Sequence, residues 1–162
     1  MLQRAHARPL ERVKEGKVVT PVPEVPDGYH TVTPYLVVPN GLAFLAFIEK
    51  AFGAVEKSRT LRPDGTIANA EIQIGDSKLM MAQAREPWKP MPSGFYLYVP
   101  DTDAVYQAAL AAGGESLMEP ADQFYGDRNA GVQDPWGNNW WIATHIEDVD
   151  EAEIQRRMAA KG

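Results

Sequence analysis

Apolar and polar residues alternate from Thr31 to Val38, the period-two pattern of a strand with one buried face. The period then changes. Leu42, Leu45, Ile48 and Phe52 recur at helical spacing, Asn40 stands where a cap is needed, and Gly53 closes the run. Strand patterns follow over Val55–Arg62 and Thr66–Ile74, joined across the turn signal Pro63-Asp64-Gly65, and Gly75-Asp76-Ser77 turns the chain into a last strand, Lys78–Gln83. The predicted order is strand, helix and three strands.

The pattern then repeats. Tyr35-Leu36-Val37-Val38-Pro39-Asn40 returns as Tyr96-Leu97-Tyr98-Val99-Pro100-Asp101, at a constant offset of 61 residues. A second strand over Phe95–Val99 and a helix over Asp103–Ala112, ending at Gly113-Gly114, answer the first pair. Strands are predicted at Glu115–Met118, Ala130–Gln133 and Asn138–His145, the last after the turn Asp134-Pro135-Trp136-Gly137, and Asp122–Arg128 reads as a polar, aromatic loop or strand edge. A repeat that occurs twice implies two copies of one module on a shared core, since a solenoid needs three or more. The boundaries expected are an N-terminal extension at 1–28, a domain at 29–146 with modules at about 30–84 and 93–146, and a charged helical tail at 147–162. The extension is basic (Arg4, Arg8, Arg12, Lys14, Lys17) and broken by Pro21, Pro23 and Pro26. It is either a partly disordered arm or one that crosses to a partner.

Composition narrows the function. A formal net charge of −6 argues against nucleic acid as a partner, because such a protein needs a basic face. No apolar run reaches the ~20 residues of a membrane span, which leaves the cytoplasm as the expected location. The absence of cysteine removes disulfides, thiolate metal sites and a cysteine nucleophile.

Two tandem βαβββ modules resemble the vicinal-oxygen-chelate superfamily, which groups glyoxalase I, bleomycin-resistance proteins and extradiol dioxygenases. Gly28-Tyr29-His30-Thr31-Val32-Thr33-Pro34-Tyr35-Leu36, Ala51-Phe52-Gly53-Ala54 and Ala70-Glu71-Ile72 with Ile74-Gly75-Asp76-Ser77 are similar to its PhnB-like branch. So are the segment Asp122–Arg128, the Asp134–Gly137 turn and Trp140–His145. The resemblance spans about residues 28–150. It implies an α+β, glyoxalase-like fold whose mixed sheet curls around a cavity, with metal ligands on the first and last strand of each module. Carried over, those positions are Thr33, Gly94, Met80 and Trp141. None suits a catalytic divalent ion, and a slip of one residue gives only Pro34, Phe95, Met81 and Ile142. The expectation is no metal and no cofactor.

Strand alternation puts Thr33, Tyr35, Val37, Met80, Gly94, Tyr96, Tyr98 and Trp141 on the cavity face implied by the resemblance, an aromatic pocket with hydroxyl handles. The same residues could instead fill the core. Glu71, inside a strand, is a candidate general base or a paired structural carboxylate. Arg59 and Arg128 are candidates to hold an anionic ligand group, or to form ion pairs, Arg128 with Asp122 or Asp127. His145 is a candidate ligand contact; His30 reads as a boundary residue and His6 as part of the arm. Asn69 and Asn138 stand where this branch often carries His. Three functions follow: a metal-free binder of a small aromatic or cationic molecule, a lyase or isomerase using Glu71 or His145 (possible displaced metal site included), and a structural dimer with a filled cavity. The superfamily implies a homodimer.

Overall fold

The computed structural model describes residues 22–160 and two short upstream strands, β1 (Val13–Lys14) and β2 (Lys17–Val18), paired antiparallel. Most of the basic extension lies outside the described residues.

Module one runs β3 (Tyr35–Val38), α1 (Gly41–Phe52), β4 (Val55–Leu61), β5 (Ile67–Ile74) and β6 (Ser77–Gln83). Module two runs β7 (Gly94–Tyr98), α2 (Thr102–Ala111), β8 (Glu115–Asp122), β9 (Asp127–Gln133) and β10 (Asn139–His145). Each forms a four-stranded mixed sheet, in the orders β3-β6-β5-β4 and β7-β10-β9-β8. In both, the first strand pairs parallel with the last and the rest of the sheet is antiparallel. Tyr35 lies opposite Met80 and Tyr96 opposite Trp141, so the repeat seen in the sequence is a repeat of pairing register. The fold is α+β, two copies of one glyoxalase-like module.

The first strand is shorter than the alternation predicts, beginning at Tyr35 rather than Thr31. Pro34 has no N–H for a ladder; its carbonyl accepts from Met80 N at 2.9 Å, while Thr33 Oγ1 donates back to His30 O at 3.3 Å and holds a turn. In the other direction β8 and β9 are longer than predicted and take up both ends of the 122–128 segment. Asn40 Oδ1 caps α1 by accepting from Ala43 N at 3.3 Å, and Asp101 Oδ1 caps α2 through Ala104 N at 3.0 Å. Gly53, at φ 64°, ends α1 in the left-handed conformation that glycine adopts without penalty.

Alternation decides which sheet face is buried. Leu36, Val38, Ala70, Ile72, Leu79 and Met81 turn toward α1, and Ala130, Val132, Trp140 and Ile142 share their core with Tyr106 and Ala109 of α2. The two helices touch each other. Aromatic contacts join the modules: Phe52 lies 4.5 Å from Trp140, and Phe44 meets Trp136 edge-on at 5.4 Å. The 134–137 turn is tied to this junction, because buried Asp134 accepts from Trp136 N, Asn138 N, Asn138 Nδ2 and the Trp140 indole N–H. The opposite face of each sheet points away from the helices.

The tail forms α3 (Glu151–Ala159), starting four residues later than predicted. It buries nothing and is held by Arg157, which reaches both carboxylate oxygens of Glu147 at 2.7 and 2.8 Å. Among the described residues no helix is long and apolar enough to cross a membrane.

Candidate functional site

The helix-free face of module two carries a polar cluster built on Asp127, the first residue of β9 and only 4% exposed. β7 sets Tyr96 and Tyr98 two residues apart on one face, and both phenols donate to Asp127 Oδ2, at 2.9 and 3.3 Å. Their rings lie 5.2 Å apart. His145, opposite Asp127 in the β9–β10 ladder, places Nδ1 2.9 Å from Asp127 Oδ1 and Nε2 3.0 Å from Asp148 Oδ1. A carboxylate oxygen only accepts, so filling both contacts requires protons on both ring nitrogens. The bond to Asp148, then the one to Asp127, accordingly raises the His145 pKa. Burial raises the Tyr96 phenol, and its neighbours Tyr125 and Asp127 raise it further; burial and Asp127 raise Tyr98 in the same way.

The chemical consequence concerns hydrogen-bond polarity. A phenol has one proton and two lone-pair positions. Tyr96 and Tyr98 give that proton to Asp127, so toward any other molecule each offers lone pairs alone. Tyr98 is 64% exposed and Tyr96 is also open. Beside them Trp141 lies flat on the sheet over Gly131, where an added Cβ would come within 2.6 Å of the indole ring. Glycine is required there by close approach.

Module one presents a different face. Tyr35, Met80 and Glu71 form one cross-strand row, with Ser58 opposite Glu71 on the other side. Glu71 is half-buried and neighbours the Tyr29 hydroxyl, which burial and then Glu71 raise in pKa. That hydroxyl is shut off from solvent without a well-formed hydrogen bond. Lys78 Nζ sits 4.1 Å over the Tyr29 ring and donates to Asp27 O at 3.0 Å, tying the entering chain to β6.

Two cavities lie near these faces. One, about 640 Å³, opens between the modules; Thr33, Tyr96 and Tyr98 line it with His30, over an aromatic floor of Phe52, Phe95 and Trp140. The other, about 340 Å³, lies on module one beside Tyr35 and Val37. Met80, Gly94 and Trp141 line neither. The structure thus brings Tyr96, Tyr98 and His145 together through Asp127 and sets Tyr35, Val37 and Glu71 on the other sheet. Arg59 pairs with Glu56 (Nε to Oε1, 2.9 Å). Arg128 pairs with Asp103 of α2 and with Asp122, its Nη1 2.8 Å from the latter, so the Asp122 partner anticipated from the sequence is joined by Asp103 rather than Asp127. Sequence reasoning overlooked Asp127 as a site residue. The available signal was the pair of tyrosines two apart on one strand, which need an acceptor.

Among the described residues no three His, Asp or Glu side chains converge as a metal-binding set. The four positions expected from the resemblance to carry ligands are Thr33, Met80, Gly94 and Trp141; Thr33 lies before β3 rather than in it, and the Trp141 ring is laid against Gly131. This donor set does not fit a divalent ion.

Comparison with known proteins agrees with this architecture. The sequence model of the Glyoxalase/Bleomycin resistance protein/Dioxygenase superfamily matches residues 28–142, and the chain belongs to that superfamily. An uncharacterized protein of Mycobacterium bovis is 32% identical over 142 residues, covering 81% of this chain and 93% of its own. TioX from Micromonospora sp. ML1 superposes with a TM-score of 0.62 at 22% identity, over 70% of this chain and 97% of that one. A Bacillus cereus PhnB protein, described as a putative 3-demethylubiquinone-9 3-methyltransferase, gives a TM-score of 0.58 at 16% identity over 71% and 99%. At those identities the two structures speak for the fold alone.

Proposed function

We propose that this member of the superfamily binds a small aromatic, positively charged molecule without a divalent metal, and does so as a homodimer. One observation carries the reading: the hydroxyls of Tyr96 and Tyr98 are both committed to buried Asp127. A ligand there meets acceptors, aromatic faces and net negative charge, a combination suited to an aromatic ammonium or amidinium ion. The inter-module cavity, at about 640 Å³, is within the ~300–1,000 Å³ of small-molecule sites. Calorimetric titration with benzylammonium, on untreated and on chelator-treated protein, tests the reading. Equal binding in both states with no turnover is expected. A stoichiometric divalent ion whose removal abolishes binding would overturn it.

The homodimer rests on the outer edges of β3 and β7, unpaired among the described residues, features that association covers. Light scattering at micromolar concentration is expected to give twice the chain mass. A monomer would refute the association, and cavity and cluster would then have to act within one chain. The cytoplasm is the proposed location, testable by cell fractionation.

A second reading, an enzyme of the lyase or isomerase type, draws on the Glu71–Tyr29 neighbourhood, where a carboxylate meets a phenol lacking a well-formed hydrogen bond. Glu71→Gln decides between the two: a turnover that this substitution abolishes would establish the enzyme, whereas unchanged ligand binding without turnover supports the binder.

A further inference from the structure

Six arginines fall among the described residues. Four of them (Arg59, Arg128, Arg156 and Arg157) each lie within ion-pair distance of a carboxylate. In a chain of net charge −6 carboxylates are plentiful, so an arginine left without one is informative. Arg62 and Arg85 are the two left over, and they line the same pocket on module one.

Their surroundings are specific. Arg62, half-buried, is held by two neutral acceptors: Nη1 donates to Thr66 Oγ1 at 3.0 Å and Nη2 to Gln83 O at 3.3 Å. Those bonds orient the guanidinium and leave other N–H groups of its five unused. The Thr66 hydroxyl, then the Thr66 N–H, hold the Asp64 carboxyl below its usual range, with Arg62 a smaller contributor. Among the described residues Arg85 has no side-chain partner, and a backbone bond from Arg85 N to Trp88 O at 3.0 Å fixes it beside Trp88. Trp88 is 65% exposed, an open position for a side chain whose burial would contribute strongly to a core. Tyr35 and Val37 complete the wall, and the volume is about 340 Å³.

We infer that this pocket is a second binding site, for a planar aromatic or heteroaromatic carboxylate. Guanidinium groups match a carboxylate through paired, charge-assisted hydrogen bonds, and two of them flank the space. Trp88 and Tyr35 supply ring faces for the flat part of the ligand. The inference is independent of the cation site on module two and goes beyond it.

The test uses the full chain and benzoate as probe, followed by calorimetry and by quenching of tryptophan fluorescence. Benzyl alcohol keeps the ring without the charge, and inorganic phosphate keeps charge without the ring. Benzoate is expected to bind about tenfold or more tightly than either, and R85Q to weaken it about tenfold. W88L is expected to weaken benzoate and remove its fluorescence signal. Arg85 is exposed and bears no structural bond through its side chain, so R85Q tests binding apart from folding; R62Q, whose residue also bridges Thr66 and Gln83, is the second variant. Benzoate affinity unchanged in R85Q overturns the inference. So does phosphate or benzyl alcohol binding as tightly as benzoate.

Discussion

The two modules share one register and differ in what they do with it. Tyr35 and Tyr96 occupy equivalent positions on β3 and β7, but the next residue on that face is Val37 in one and Tyr98 in the other. Module two adds Asp127 below its tyrosines and His145 beyond, so its face presents acceptors and negative charge. Module one has Glu71 in its row, whereas Gly131 takes the corresponding place opposite Trp141. Its pocket ends in two arginines with no carboxylate of the described residues within ion-pair distance. The backbone pairing that a core requires is the same in both modules, while a few outward side chains differ between the two faces. Register and surface chemistry can therefore change independently.

The helices show a similar contrast in the core. α1 carries Phe44, Leu45, Phe47 and Ile48, all buried, whereas α2 has alanine at four of its ten positions and buries only Thr102, Tyr106 and Ala109. Trp140 fills much of the difference, stacked 4.4 Å from Phe95 and bonded through its indole N–H to Asp134. Trp140→Ala is accordingly the most damaging change expected, about 3–5 kcal/mol by urea denaturation, and more than truncation of its module-one counterpart, Leu79. A loss within about 1 kcal/mol would show that the modules do not depend on this junction.

Asp127→Ala comes next. It removes the acceptor of two phenols and one partner of His145, and a stability loss of about 1–3 kcal/mol is expected, toward the lower end because the donors can reach water. A smaller effect follows from pH. The folded state raises the His145 pKa. The stabilisation it gives is therefore complete below the ordinary imidazole value near 6.5 and is lost as pH rises through the raised folded value. Proton NMR of the His145 ring is expected to show a midpoint above about 6.5; a midpoint at or below it would mean the two carboxylate contacts are not maintained. The smallest effect is expected for Glu71→Gln, within about 0.5 kcal/mol, because the carboxylate is half-exposed and carries no well-formed hydrogen bond. A larger loss would make Glu71 a structural anchor.

Much of this architecture was legible in the sequence, because periodicity and caps are local. Leu42 to Phe52, Asn40 and Gly53 specify α1 without reference to anything distant, and the repeat of Tyr35–Asn40 at Tyr96–Asp101 announces the second module. What alternation could not reveal was partnership. Asp127 belongs to a segment that reads as a polar loop, and its role appears only when β9 sets it beneath β7, 31 and 29 residues from its tyrosine donors. Arg62 and Arg85 look like ordinary surface charges in the chain. Only the fold shows that, among the described residues, no carboxylate lies within ion-pair distance of them, and that Trp88 stands open beside them.

The central claim, that the twin faces have opposite polarity, is tested most directly by titrating benzylammonium and benzoate into wild type, D127N and R85Q under one set of conditions. Crossed losses are expected: D127N weakens benzylammonium about tenfold more than it weakens benzoate, and R85Q does the reverse. Parallel losses of both probes in either variant would contradict it, as would a wild-type protein that binds the two probes at one and the same place.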